Sequence, residues 1–556
     1  MDALPSGATD ALNKVLASAR PAHALDAAAA LAALWTFVKL YRAARRRLRT
    51  TRLRGPSSPS FVYGVGKELM ESDDAGAMYE TWAEEYGVVY QVPSTLGKTR
   101  IVLCDPKAIA HFYARETWTY IQTPVTKAAL EHGFGRGLLW SHGESHRRQR
   151  KSLTPAFSNA AIRRLTSVFY DSAYKAKGVW DALIESSGND STIIDVQNWM
   201  NHISLDTIGL AGFSHDFGSL DGKPASVTEI FDTFGSSPRS STLNIGATLL
   251  AQAFPFLVRI PTARTKLIGK LNNAMGDISN ILLERTRKEV EIGVTSEKED
   301  KSIIGLLIKG ESSDGELHLS QEEIMAQMKV LLLAGYETTS ISLTWALIEL
   351  SQNPDVQTKL RNELLEHGTD PTYDQLSSNL PYLDAVVHEI LRIHPPVPEF
   401  TRIALEDDVI PLSEPVRTKS GKLVDSLSIA KGTLLAISIP SINRSTAIWG
   451  PDAKVFRPSR WLEDETGQDG IPTKAKEVQG HRHLLTFVDG PRTCLGKSFA
   501  VAEFKTVLSV LVKNFVFEMR DGPETKLEMG RGVLPRPKVV GEVGCKMPLR
   551  VRRFEG

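Results

Sequence analysis

Residues 321–352 hold one unbroken helical pattern, and a rod of that length sets the scale of whatever folds around it. Ser320 followed by Glu323 is a capping box, each side chain satisfying the other residue's backbone N–H at the first turn. Asn353-Pro354 ends the pattern, because proline cannot continue a helix. At roughly 1.5 Å per residue the segment is about 48 Å long, enough to cross a whole domain. Its centre, residues 330–335, is apolar almost throughout, so burial on all sides is expected. A second helical pattern covers residues 381–393 and ends before His394-Pro395-Pro396. Residues 88–92 and 100–104 are short apolar runs around a turn at 93–98, which predicts a small hairpin. The expected fold class is mainly α with a small β-sheet region.

A chain of 556 residues with 42% hydrophobic and 24% charged content has ample apolar matter for one large core. Its net charge of +1 argues against nucleic acid as a partner, since phosphate binding leaves a basic excess. Cys104, Cys494 and Cys545 are too few and too scattered for a disulfide framework or a Cys-x-x-Cys zinc site, which suits a reducing compartment.

The N-terminal region differs from the rest. After a tail at 1–21, residues 22–41 are rich in alanine and leucine, with Asp26 and Lys39 the only formal charges. A helix needs roughly 20 such residues to cross a bilayer, and both charges can snorkel to the interfaces. Seven arginines lie between Arg42 and Arg54 with no acidic residue among them, which holds that end on the cytosolic side near anionic lipid. A secretory signal carries its charge before the apolar core, and Asp2, Asp10 and Asp26 do not suit a mitochondrial presequence. The expectation is an uncleaved membrane anchor at 22–41, with monotopic insertion as the competing arrangement. A basic and proline-rich linker at 42–60 joins it to one catalytic domain at 61–556. Residues 291–301 and 463–479 read as surface loops within that domain.

Chemistry concentrates near the C-terminus. Phe487-Val488-Asp489-Gly490-Pro491-Arg492-Thr493-Cys494-Leu495-Gly496-Lys497 sets a lone cysteine in a glycine-flanked loop, and a helix is expected over 498–515. A helix N-terminus stabilises a thiolate, and Gly490 and Gly496 allow the backbone to approach a flat ligand closely. A buried cysteine by itself is more often a small apolar side chain than a ligand. Within the long helix, Glu337 and Thr338 put a carboxylate beside a hydroxyl in apolar surroundings. There a glutamate is costly unless paired or hydrated, and a threonine can loosen the helix. Glu389 and Arg392 share a helical face, a pair worth almost nothing at a surface. Residues 143–151 form a charge run containing His146 and Arg150.

The pattern Phe-x-x-Gly-x-Arg-x-Cys-x-Gly at residues 487–496 resembles the haem-binding signature of the cytochrome P-450 superfamily at every specified position. Four further motifs follow the family's order, and the resemblance runs from about residue 55 to 550. It implies haem b with Cys494 as axial iron ligand, Phe487 beside the thiolate, and Arg492 on a propionate. His146 and Arg150, four residues apart, and Arg402 match further propionate contacts. Glu337 and Thr338 resemble the pair that activates dioxygen, Thr338 holding oxygen and its water while Glu337 relays protons. Ala334 and Gly335 would leave room over the iron. Glu389, Arg392 and Arg460 match a structural triad, although Ser459 and Trp461 depart from the commoner glutamate and phenylalanine. By family position, Val330, Leu333, Ala334, Val397 and Phe400 line the substrate pocket, with loops around 117–134 and 217–256.

This resemblance implies a monooxygenase that inserts one oxygen atom of O2 into an apolar lipid-, terpenoid- or secondary-metabolite-like molecule, the thiolate favouring O–O cleavage. No Gly-rich dinucleotide fingerprint follows a strand, so electrons from NADPH are expected through a separate cytochrome P-450 reductase docking on the basic face near Cys494. Cytochrome b5 is a further candidate donor. The expected site is the endoplasmic reticulum membrane, with the catalytic domain facing the cytosol. Residues 484–517 resemble fungal, basidiomycete members. Two rival readings are a reductase-independent haem-thiolate isomerase or dehydratase and a non-catalytic haem sensor. The Glu337-Thr338 pair counts against both.

Overall fold

Pro21–Arg49 forms one 29-residue helix, α1. The computed structural model describes residues 21–555 apart from position 73, segments 224–245, 292–302, 309–317 and 463–469, and a few single positions between 247 and 306. The tail at 1–20, nearly all of the loop expected at 291–301, the start of that at 463–479 and the middle of 217–256 lie outside the described residues. Helix α1 continues eight residues past the expected anchor, because Arg42 to Arg49 contain no glycine or proline and arginine is a good helix former. Only from Thr50 does the chain extend, so the linker is shorter than expected. Leu31, Leu34, Trp35, Phe37, Leu40 and Tyr41 on α1 are exposed. Its C-terminal end is tied to the body: Arg46 donates to the Gly432 carbonyl at 3.0 Å and Arg49 pairs with Asp407 at 2.6 Å.

The body begins with α2 (Ala75–Tyr86), then β1 (Val89–Pro93) and β2 (Thr99–Leu103), which pair antiparallel with Val89 opposite Leu103, as the apolar runs predict. Helix α3 (Pro106–Ala114) starts where the Asp105 carboxylate accepts from the Ala108 N–H. Strand β3 (Tyr120–Gln122) and helix α4 (Pro124–Phe134) occupy the segment expected as a loop at 117–134. Thr123 caps α4 and Pro124 supplies its first turn, a start signal that makes this segment a helix and not a loop.

Helices α5 (Gly143–Leu153), α6 (Asn159–Ser186), strand β4 (Ser191–Asp195), α7 (Val196–Phe213) and α8 (Ala263–Glu291) lead to the long helix α9, Gln321–Gln352. The Ser320–Glu323 capping box is formed. In its most apolar stretch α9 is 67% buried, a core helix wedged against α7, α8 and the helices that follow. These are α10 (Pro354–His367), α11 (Pro381–Ile393) and, after the strands, α12 (Lys497–Asn514).

Strands β5 (Glu399–Ala404), β6 (Asp408–Arg417), β7 (Leu423–Ile429) and β8 (Leu434–Ser438) come between α11 and α12, and β9 (Phe515–Met519), β10 (Leu527–Arg531), β11 (Pro535–Val539) and β12 (Pro548–Arg553) follow α12. The main sheet runs β1-β2-β8-β5-β3, with β2 and β8 parallel. β12 lies between β4 and β9, closing the C-terminus onto residues 191–195. The fold is mainly helical with small sheets, and the largest apolar cluster fills the space between the main sheet, α9, α11 and α12.

Candidate functional site

Cys494 sits at the last bend before α12. Its N–H donates to the Phe487 carbonyl at 2.9 Å, which folds the loop back on itself. Gly490 has φ +67°, and a Cβ there would meet the Tyr113 carbonyl oxygen at 2.2 Å, so only glycine fits. At Gly496 a Cβ would meet nothing nearer than Phe157 at 3.7 Å, so no contact with the protein itself demands glycine there.

The Cys494 thiol keeps an open surface although protein surrounds it. Burial pushes its ionisation up, and the Gly496 N–H and the charges of Arg150 and Lys497 pull it down less strongly. The helix-terminal stabilisation expected from the sequence is therefore present but outweighed. A thiol in this balance ionises readily only when it binds a cation, since a coordinating thiol gives up its proton.

Cations converge beside it. One helical turn of α5 puts His146 and Arg150 on the same face, the 146 ring being buried. Arg402 on β5 pairs with Glu116 at 2.7 Å. Arg492 Nε lies 3.9 Å from the same carboxylate, too far for a hydrogen bond, and has no other acceptor among the described residues. Its Nη2 donates to the Ser141 carbonyl and to Thr117 Oγ1 at 3.3 Å. Burial lowers Arg492 to about 10, and burial together with Arg492 and Arg150 holds His146 at about 3 and thus neutral. Arg402 and Arg492 share the Glu116 carboxylate and Arg150 adds its charge to that of Arg492, an excess of two positive charges over Glu116. A porphyrin with two propionates and a central iron answers both this excess and the thiol, so the residues fit haem. Glu116 and Ser141 were not foreseen, and Thr117 only as the edge of a pocket loop, because a lone glutamate before a turn carries no sequence signal.

On α9, Ala334 is exposed and Thr338 half-buried, while Tyr336, Glu337 and Thr339 are buried. Thr338 Oγ1 donates to the Ala334 carbonyl at 2.7 Å, the backbone bond expected to loosen the helix. Glu337 points elsewhere. It accepts from Arg536 on β11 and from the Leu534 N–H at 3.0 Å, leaving Oε2 without a partner among the described residues. Burial raises its ionisation while Arg536 lowers it. Gly335 does not face the space beside Ala334: a Cβ there would meet Ile208 at 2.6 Å, so it serves the close packing of α7 on α9.

Of the pocket candidates, Val330 is buried, Leu333 packs with Leu205 and Leu271, and Val397 is half-buried. The Arg402 guanidinium lies 5.4 Å from the centre of the Phe400 ring.

Glu389, Arg392 and Arg460 meet with their side chains wholly buried. Arg392 grips Glu389 with two bonds of 2.8 Å, and Arg460 reaches Glu389 at 3.3 Å and Asp452 at 3.1 Å. Trp461 explains its own departure from phenylalanine: its indole N–H donates to Glu389 at 2.9 Å. Nothing in the structure explains Ser459.

A thiol set among cations that outnumber their carboxylate by two points to the class of haem-dependent oxidoreductases. The chain belongs to the cytochrome P-450 family, whose pattern matches residues 54–541. It is 60% identical over 526 residues to the cytochrome P-450 monooxygenase claQ of Ampulloclitocybe clavipes, covering 94% of this chain and 97% of that one. With claP of the same fungus the identity is 59% over 535 residues, 96% of this chain and 98% of the relative. Cytochrome P-450 monooxygenase 205 of Postia placenta is 35% identical over 545 residues, 95% and 97% of the two chains. The protein is thus a haem-dependent monooxygenase with fungal relatives.

Proposed function

We propose that the protein inserts one oxygen atom of O2 into an apolar lipid-, terpenoid- or secondary-metabolite-like molecule, with Cys494 as the axial ligand of haem b. The observation that carries this reading is the open thiol of Cys494 beside Arg150, whose charge in turn acts on the Arg492 and Arg402 pair. Arg492, Arg402, Arg150 and His146 would hold the haem propionates, with Glu116 keeping the Arg402 guanidinium aimed. The iron porphyrin supplies the redox chemistry of O–O cleavage. Thr338 offers a hydroxyl on the open face of α9, and Ala334 one turn earlier leaves room for substrate.

Electrons come from NADPH through a separate reductase. The exposed apolar side chains of α1 followed by Arg42 to Arg49 support an anchor in the endoplasmic reticulum membrane, the body facing the cytosol. The test is the absorption spectrum of the reduced, carbon-monoxide-bound protein beside Cys494→Ser. A strongly red-shifted Soret band that the variant lacks is the expected result. A wild-type spectrum without that band, or one the substitution leaves unchanged, overturns the assignment.

A further inference from the structure

Glu116 lies between α3 and β3 and is 1% exposed. Among the described residues no other carboxylate comes within 4 Å of Arg402 or Arg492. The turn that carries it is pinned from several sides. The Glu116 N–H donates to the Tyr113 carbonyl at 3.1 Å, and the Thr117 N–H to the Tyr120 carbonyl at 2.8 Å. The Thr117 carbonyl in turn accepts from the Gly143 N–H at 2.9 Å. Thr117 has φ +78°, a strained backbone for a β-branched residue, and such strain persists only where the surroundings impose it.

Only one oxygen of this carboxylate is engaged. Arg402 donates to Oε1 at 2.7 Å, and the 3.9 Å approach of Arg492 is to the same atom. Oε2 is buried without a partner among the described residues, as is the hydroxyl of Tyr113 one turn earlier. Burial and the charge of Glu116 both push the ionisation of that hydroxyl up. Aiming Arg402 needs a single acceptor oxygen, which the neutral amide of glutamine would supply equally well. What only a carboxylate adds is a negative charge in a medium of low dielectric, where charges act strongly on one another.

We propose that the buried charge of Glu116 holds down the reduction potential of the haem seated on Arg402 and Arg492. This rests on the reading of those arginines as the propionate partners. The step concerned is the transfer of one electron, which takes the iron from the ferric to the ferrous state and forms or breaks no bond. The donor that monooxygenation already requires supplies that electron. A fixed negative charge opposes its arrival, so Glu116 favours the ferric protein. Burial and charges around the macrocycle are levers by which a protein sets such a potential. Glu116 acts through the two guanidiniums and is a positioning residue, in contact with neither substrate nor iron.

The test is a dye-equilibrated redox titration of the full-length, haem-loaded protein. Glu116→Gln, which keeps shape and acceptor but not charge, should raise the equilibrium constant for one-electron reduction about tenfold, equal to 59 mV. Glu116→Asp keeps the charge and should stay within about twofold of wild type. A wild-type potential in Glu116→Gln overturns the proposal, even where haem is lost faster, because Glu116 then does no more than pin Arg402. A potential displaced as far in Glu116→Asp as in Glu116→Gln overturns it too, since geometry and not charge would be the cause. Should Glu116→Gln fail to fold, the infrared redox difference spectrum of carbon-13-labelled protein carrying unlabelled haem replaces it. There a protein carboxylate band that responds to reduction is expected, and its absence overturns the proposal. A wild-type carbon monoxide adduct without the red-shifted Soret band overturns the haem-thiolate assignment itself, a failure visible before any potential is measured.

Discussion

Glu337 and Arg536 form an ion pair almost wholly shut off from solvent, tying the middle of α9 to strand β11 near the C-terminus. A buried pair contributes little when formed but is expensive to break from one side, because the remaining charge stays in low dielectric. Arg536→Met should lower stability by about 3 kcal/mol. Adding Glu337→Gln should recover most of that loss. Guanidinium unfolding followed by circular dichroism measures both. Additive losses in the double variant would mean that the two residues act separately.

Under the proposed assignment, Arg492 holds a haem propionate. Arg492→Ala should weaken haem retention by about 2 kcal/mol, close to thirtyfold, the scale of one lost charge-assisted hydrogen bond. Transfer of haem to excess apomyoglobin gives the rate. Unchanged transfer would remove Arg492 from the site.

The two glycines flanking Cys494 should part company. Gly490→Ala forces a Cβ to within 2.2 Å of the Tyr113 carbonyl at positive φ and should destabilise the apoprotein by about 2 kcal/mol or more. Gly496→Ala meets no such contact, so the apoprotein should melt as wild type while haem binding weakens. Thermal melts of apoprotein beside haem titrations separate the effects.

Trp461→Phe restores the family's commoner residue but deletes the 2.9 Å bond to Glu389. A loss of about 1.5 kcal/mol is expected, since the acceptor is charged and buried. Urea unfolding of the variant reads it directly.

His481 gives the stability an acid dependence. Burial and the neighbouring His388, Lys497 and Arg482 push it down to about 3. The unfolded chain, with histidine near 6.5, therefore binds the extra proton first. Stability conferred by this group is full above about pH 6.5 and declines as pH falls toward 3. At pH 5 the loss should be about 1 kcal/mol, less than the full linkage value because the ring is half-buried. His481→Gln should flatten this part of the pH–stability curve, and an unchanged slope would assign it to other groups.

The amino-acid sequence by itself determined the elements whose signals are local. The bounds of α9 and α11, the hairpin β1–β2 and the glycine-flanked cysteine loop follow from caps, proline stops and spacing that need no partner to be read. The Glu389–Arg392 pair was legible as a spacing, and Arg460 came with it only through family resemblance. Tertiary structure decided whatever depends on residues far apart in the chain. Strand β12 pairs with β4 some 350 residues earlier, which no window of sequence reveals. Gly335 packs on Ile208 and Glu337 binds Arg536, although both are adjacent in sequence to residues on the open face of α9. A helix turns about 100° per residue, so neighbours in sequence look in different directions. Burial likewise outweighed the helix-end stabilisation expected for the Cys494 thiol and raised the ionisation of Glu503, because desolvation is a property of the packed molecule and is written nowhere along the chain.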